Sequence, residues 1–191
     1  MDALLDKWNR VYSESEPGLT PAAEVLTENG FLLPRAGRAL DLASGLGANA
    51  IYLAGRGLAV TAWDLSSVAT EKLNHYATTH HLAIDAHQQK IDSQIFPKSV
   101  YDVIVVSRFL DRTLSDAIIG ALNPGGLLFY QTYTQARLAG QGGPNNPDYL
   151  LAENELLRLF SPLRVVFYWE NVLIGDSGQG LRNEAQFVGR K

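Results

Sequence analysis

The hydrophobic positions change rhythm near residue 38. Before it, Leu4, Leu5, Trp8 and Tyr12 recur at near-helical spacing and predict an amphipathic helix, which Pro17-Gly18 brings to an end. A second helix is expected with Thr20 as N-cap and Pro21 at its first position, ending near Asn29-Gly30. From residue 38 onward, short apolar runs alternate with helical stretches. Strands are expected at 38–43, 58–63, 83–89, 101–107, 127–132, 164–170 and 185–189, and helices at 48–54, 67–80, 113–122 and 153–160. Val103-Ile104-Val105-Val106 is apolar on both pleat faces, as a strand covered by helices on both sides must be. This alternation predicts an α/β fold: a doubly wound, mostly parallel, seven-stranded sheet in an α/β/α sandwich. The last two strands, joined by a Gly-rich turn without a helix, should run antiparallel to each other.

Composition narrows the class. With 191 residues, 46% hydrophobic and 19% charged, the chain is expected to form one globular domain over 1–191. A net charge of −4 argues against a partner held by phosphate contacts, so no nucleic acid is expected. The absence of cysteine removes disulfides, thiolate zinc sites, iron–sulfur clusters and a cysteine nucleophile. No basic start followed by an apolar run and no stretch of 18 apolar residues occurs, so a cytoplasmic protein with no membrane contact is expected. His75, His80, His81 and His87 read as solvated helix-end or surface residues, and no metal-ligand spacing exists, so no metal is expected.

The most informative stretch is Asp41-Leu42-Ala43-Ser44-Gly45-Leu46-Gly47-Ala48-Asn49-Ala50. Gly45 and Gly47 allow a sharp turn out of the first strand and bring backbone N–H groups close to a ligand, and Ala50 allows tight packing of the helix on the strand. Asp64 ends the next strand, where a carboxylate can accept both ribose hydroxyls of an adenosine. Asp41 discriminates among adenosine ligands. A pyrophosphate at the helix N-terminus would be repelled by it, whereas a ligand bearing an ammonium and a sulfonium would be attracted.

Asp-x-Ala-x-Gly-x-Gly followed by Asp64 resembles the class I S-adenosylmethionine-dependent methyltransferases. The resemblance continues through Ile91-Asp92, Tyr101-Asp102-Val103-Ile104-Val105-Val106 and Leu122-Asn123-Pro124-Gly125-Gly126-Leu127-Leu128, covering about residues 38–135. Trp8-Asn9-Arg10-Val11-Tyr12 and Asn49-Ala50-Ile51-Tyr52-Leu53-Ala54 further resemble the small tellurite-resistance-type methyltransferases. Ala43-Ser44 departs from the common Gly-Cys of the family, but both are small. The resemblance implies a Rossmann-like methyltransferase sheet with an antiparallel last strand and S-adenosyl-L-methionine as cofactor. It implies cofactor contacts from Asp41, Ala43, Ser44, Gly45, Gly47, Asn49, Asp64, Leu65, Ser107 and Asp92, the last near the adenine amino group.

Methyl transfer needs alignment and exclusion of water, and a general base is optional. The sequence offers no convincing triad, so no catalytic residue is assigned. Substrate contacts are expected on the same sheet edge as the glycine loop. Arg108 is the candidate for an anionic acceptor, with pairing to Asp111 or Asp102 as the alternative. Phe109, Tyr130 and Tyr133 are candidate pocket walls or core, and Trp8 and Tyr12 a candidate helical lid. The stretch 140–147, rich in Gly, Pro and Asn, is a candidate gate. The reading is a methyltransferase for a small-molecule acceptor, monomeric or homodimeric. A nicotinamide-dependent oxidoreductase and a non-catalytic cofactor-binding module are the alternatives.

Overall fold

The computed structural model describes residues 2–138 and 142–191. Helices α1 (Asp2–Ser13) and α2 (Glu24–Glu28) precede β1 (Gly37–Leu42), α3 (Ala48–Ala54), β2 (Leu58–Asp64), α4 (Ser67–Thr79) and β3 (Ile84–Gln88). Then follow β4 (Tyr101–Ser107), α5 (Ser115–Ala121), β5 (Leu122–Tyr133), α6 (Glu155–Leu159), β6 (Arg164–Trp169) and β7 (Glu184–Arg190). All seven strands form one sheet in the order β3-β2-β1-β4-β5-β7-β6. β7 is antiparallel to both neighbours, β5 and β6, while β1 to β5 pair in parallel. The sheet is therefore the mixed, mostly parallel, Rossmann-like one expected, with its last strand inserted between β5 and β6.

Each face carries its own core. On one face Val25, Leu26, Ala50, Leu53 and Leu73 from α2, α3 and α4 cover Val103, Val105, Phe129 and Val188. On the other, Leu114, Ile118, Leu156 and Phe160 around α5 and α6 cover Leu40, Ile104, Val106 and Leu128. The helix-free stretch between β3 and β4 covers this second face with Ile91, Ile95, Phe96 and Val100. Val103 to Val106 are all buried, because their two pleat faces meet different cores.

The second helix departs from its expected start. Thr20 and Pro21 do not open it: α2 begins at Glu24, and Ala23 before it offers no side-chain cap. Its first amides are met from far along the chain instead. Asn49 Oδ1 accepts from Ala23 N at 2.9 Å and Gln131 Oε1 from Val25 N at 2.8 Å. β5 also begins early. Leu122 already pairs with Tyr101, and Asn123-Pro124-Gly125-Gly126 forms an irregularity inside the pairing before Leu127 meets Val103. A Cβ at Gly126 would lie 3.0 Å from Asn123 O and 3.1 Å from Tyr101 O, so a larger residue would have to push these carbonyls aside by a few tenths of an ångström. The helices expected at 113–122 and 153–160 are shorter, the first preceded by a 3-10 turn over Arg112–Leu114.

Candidate active site

Because β1, β2, β4 and β5 are parallel, their C-terminal ends share one edge of the sheet. The strand order reverses between β1 and β4, which opens a crevice there. Ala43, Ser44, Gly45 and Gly47 form the loop from β1 to α3, with Ala43 at φ 55°, Gly45 at φ 52° and Gly47 at φ 77°. Ala43 thus holds a left-handed backbone that glycine adopts without steric cost. Gly47 has no room for a side chain, since a Cβ would stand 2.4 Å from Leu73.

Two carboxylates sit beneath this loop. Asp41 has no exposed surface; it accepts from Asn49 Nδ2 at 3.3 Å and Ala50 N at 3.0 Å. Burial outweighs these bonds, and with Asp64 nearby it pushes the Asp41 carboxyl up to about 7. Asp64 accepts from Gly45 N at 2.7 Å and Ser66 N at 2.8 Å, and burial raises its pKa as well. No lysine, arginine or histidine forms an ion pair with either among the described residues. Ser44 Oγ is buried without a hydrogen-bond partner. Asn49 joins three parts of the edge, binding Asp41, Ala23 N and, at 2.9 Å, Ser107 Oγ. Leu65, half-buried, follows Asp64, whereas Asp92 lies exposed after β3 and caps its own loop by accepting from Gln94 N at 2.9 Å.

α1 lies across this loop. Trp8 and Tyr12 stack with ring centroids 5.7 Å apart, and a Cβ on Gly45 would stand 2.8 Å from the Tyr12 hydroxyl. Burial first, then Asp64 and Asp41, raises the pKa of this phenol, so it stays protonated beside the two acids. Asn9 Oδ1 accepts from Ser66 Oγ at 2.7 Å. Tyr12 therefore stands at the glycine loop, with Trp8 stacked on it, and not beside the substrate candidates on β4 and β5.

Those candidates meet at the other end of the crevice. Arg108 follows β4 at φ 52° and is two-thirds exposed, its side chain 67% accessible. It pairs with neither Asp111 nor Asp102. Asp111 caps the following turn and Asp102 accepts from Arg38 N and Asn123, so the partner is Glu184, 3.3 Å from Arg108 Nε. Glu184 lands on this edge because β7 runs antiparallel and pairs its first residue with Tyr133. It also accepts from Gln131 Nε2. Tyr133, Gly142, Gly143, Arg182, Asn183 and Glu184 line a cavity of about 250 Å³. Tyr130 belongs to the core and donates to Phe109 O at 2.9 Å, and Phe109 packs half-buried on that core. Of the candidate gate, residues 140 and 141 lie outside the described residues.

Gln131, Gln186, Glu184 and Lys72 were not expected at this edge. A signal existed for the glutamines, since each interrupts an apolar strand, but Lys72 on α4 carried none. Among the described residues no three His, Asp or Glu side chains group as a metal site.

A family model described as a methyltransferase domain matches residues 20–165 of the chain. No curated protein sequence matches it. Solved structures share the fold. TehB from Haemophilus influenzae superposes with a TM-score of 0.70 at 24% identity, over 96% of this chain and 67% of that one. An S-adenosylmethionine-dependent methyltransferase from Mesorhizobium loti gives 0.67 at 16% identity, over 89% and 99%. The 4+2 cyclase SpnF gives 0.70 at 14% identity, over 98% and 92%.

Proposed function

The chain belongs to the family described as a methyltransferase domain, and on that premise we propose that it methylates a small-molecule acceptor with S-adenosylmethionine as donor. The observation that carries this reading is the pair Asp41 and Asp64, two buried carboxylates under a glycine loop with no protein cation on either among the described residues. Asp64 suits the ribose of an adenosine, and Asp41 beside the helix start suits a cationic group and not a pyrophosphate. The orphaned Ser44 Oγ supplies a further polar atom for a ligand to satisfy.

Asp64 would hold the ribose hydroxyls, and Asp41 with Asn49 the amino-acid ammonium. When bound, the cofactor supplies a methyl carbon activated by positive sulfur. The chain's own residues bind, align and keep water out, and positioning of this kind can supply about 7–11 kcal/mol. Tyr12 and Trp8 close the cofactor end, and the Tyr133–Glu184 cavity beside Arg108 receives the acceptor. No described helix is long and apolar enough to cross a membrane.

The fold also carries a cyclase, so the test must read methyl transfer itself. Calorimetry should show S-adenosylmethionine binding that falls about 100-fold in Asp64→Ala, where two hydrogen bonds to a charged acceptor are lost. Asp41→Ala should weaken it less. Equal affinity in all three proteins would overturn the assignment. Label from the methyl group should then appear in a product when small acceptors are supplied.

A further inference from the structure

We propose that Lys72 is a positioning residue that docks the C-terminal end of α1 onto α4, so that Tyr12 stands over the glycine loop and closes the cofactor end of the site. The inference rests on the cofactor reading above and adds to it a residue from an element that touches no predicted ligand.

Lys72 Nζ lies 3.1 Å from Tyr12 O, 3.1 Å from Ser13 O, 2.7 Å from Ser15 O and 2.8 Å from Glu16 Oε1. The carbonyls at a helix end lack intrahelical partners and carry the negative pole of the helix dipole. An ammonium inserted among them meets both needs, and Glu16 adds an ion pair. Lys72 lies on the helix that follows Asp64, and Ser66 caps that helix through Ala69 N while also donating to Asn9. Ser66 and Lys72 therefore hold α1 at two points, one at its middle and one at its end. Among the described residues they make the only side-chain hydrogen bonds between α1 with its following turn and the rest of the molecule.

Packing attaches α1 only through its half-buried face, Leu5, Trp8, Asn9 and Tyr12, laid on α4 and the glycine loop. Neither core cluster contains a residue of α1, and Leu4 and Val11 are about half exposed. The ring pair Trp8 and Tyr12 is what α1 brings to the site, and the Tyr12 hydroxyl makes no hydrogen bond among the described residues. A helix held by few contacts opens readily, so its docking energy is felt where Tyr12 covers the loop. Losing Lys72 should leave the fold intact and shift α1 toward an undocked state, which taxes ligand affinity by the lost docked fraction.

The test uses the full chain with S-adenosylhomocysteine as probe, comparing wild type, Lys72→Met, Lys72→Arg, Tyr12→Ala and the Lys72→Met/Tyr12→Ala double variant. Calorimetry should show Kd rising about tenfold in Lys72→Met, with affinity retained in Lys72→Arg, which keeps charge and donors. Hydrogen exchange over residues 2–13 should quicken in Lys72→Met while the thermal midpoint stays within about 2 °C of wild type. The double variant should bind no more weakly than Tyr12→Ala alone, because Lys72 acts through Tyr12. Unchanged affinity in Lys72→Met, unchanged exchange in α1, or a penalty that adds in full to that of Tyr12→Ala would each overturn the proposal. Absence of binding in the wild type would instead overturn the cofactor reading, and this inference with it.

Discussion

Asp41 gives the site a pH response whose sign can be worked out. Burial raises its carboxyl to about 7, above the ordinary 3.8, so between those values the ligand-free protein keeps it protonated. A cationic ligand favours the ionised form, so binding below pH 7 must expel a proton. Affinity for S-adenosylmethionine should therefore rise as pH goes from 5 to 7.5 and level off above. Calorimetry at pH 6 in two buffers of different ionisation heat should show release approaching about one proton, and Asp41→Asn should flatten the profile. A pH-independent Kd in the wild type would contradict the assignment of Asp41. The sequence made Asp41 and Asp64 legible because the ends of strands β1 and β2 locate them. It left Asp41's complete burial, and hence its titration, to the packing of α3. Glu184 was invisible for a different reason. Its partners Arg108 and Gln131 lie 76 and 53 positions away, and nothing local marks such a pairing.

At the scale of elements, the strands and α3 were legible, while the start of α2 was not. The strands announce themselves by apolar runs that two cores must cover, whereas α2 is five residues long and survives only through tertiary partners. Gln131 is the chief of these, accepting from Val25 N and Gln186 Nε2 and donating to Glu184. Gln131→Met should leave the Val25 amide without its buried partner and cost about 1–3 kcal/mol in denaturant unfolding. It should also speed amide exchange in α2. A second clasp ties the turn after β4 to the segment leading into α6. Arg112 Nε and Nη2 reach Glu155 at 2.6 and 3.0 Å, and Arg112 also donates to Asp148 O and Leu150 O. The Arg112 guanidinium holds the Glu155 carboxyl below its ordinary value, so this stabilisation is present above the unfolded pKa and fades as pH falls through the depressed one. Arg112→Met should make residues 142–151 a preferred site of limited proteolysis while β4 and β5 stay protected.

For the whole molecule, the sheet order explains why one edge can serve two ligands. The order reverses between β1 and β4, where the cofactor is proposed to bind, and the antiparallel insertion of β7 beside β5 brings Glu184, proposed to face the acceptor, to the same edge. The alternation of strands and helices foretold the parallel half, but no local pattern could rank β7 inside β6, because a reversed pair can add to an edge in either order. The global consequence is a linkage between pH, ligand and stability. In the ligand-free protein the raised Asp41 pKa stabilises the fold fully below about pH 4, and that contribution is lost as pH rises through about 7. A cationic ligand meets the ionised carboxylate and opposes the loss. S-adenosylmethionine at 100 times its Kd should add about 2.7 kcal/mol, raising the thermal midpoint by roughly 5–10 °C near pH 7.5. At pH 5 the same ligand concentration should give a smaller shift, because part of the binding energy goes into removing the Asp41 proton. NADH should give none at pH 7.5, where its pyrophosphate would face the ionised Asp41. A larger shift at pH 5 than at pH 7.5, or equal shifts with NADH, would reverse the sign of this linkage and with it the electrostatic basis for the cofactor.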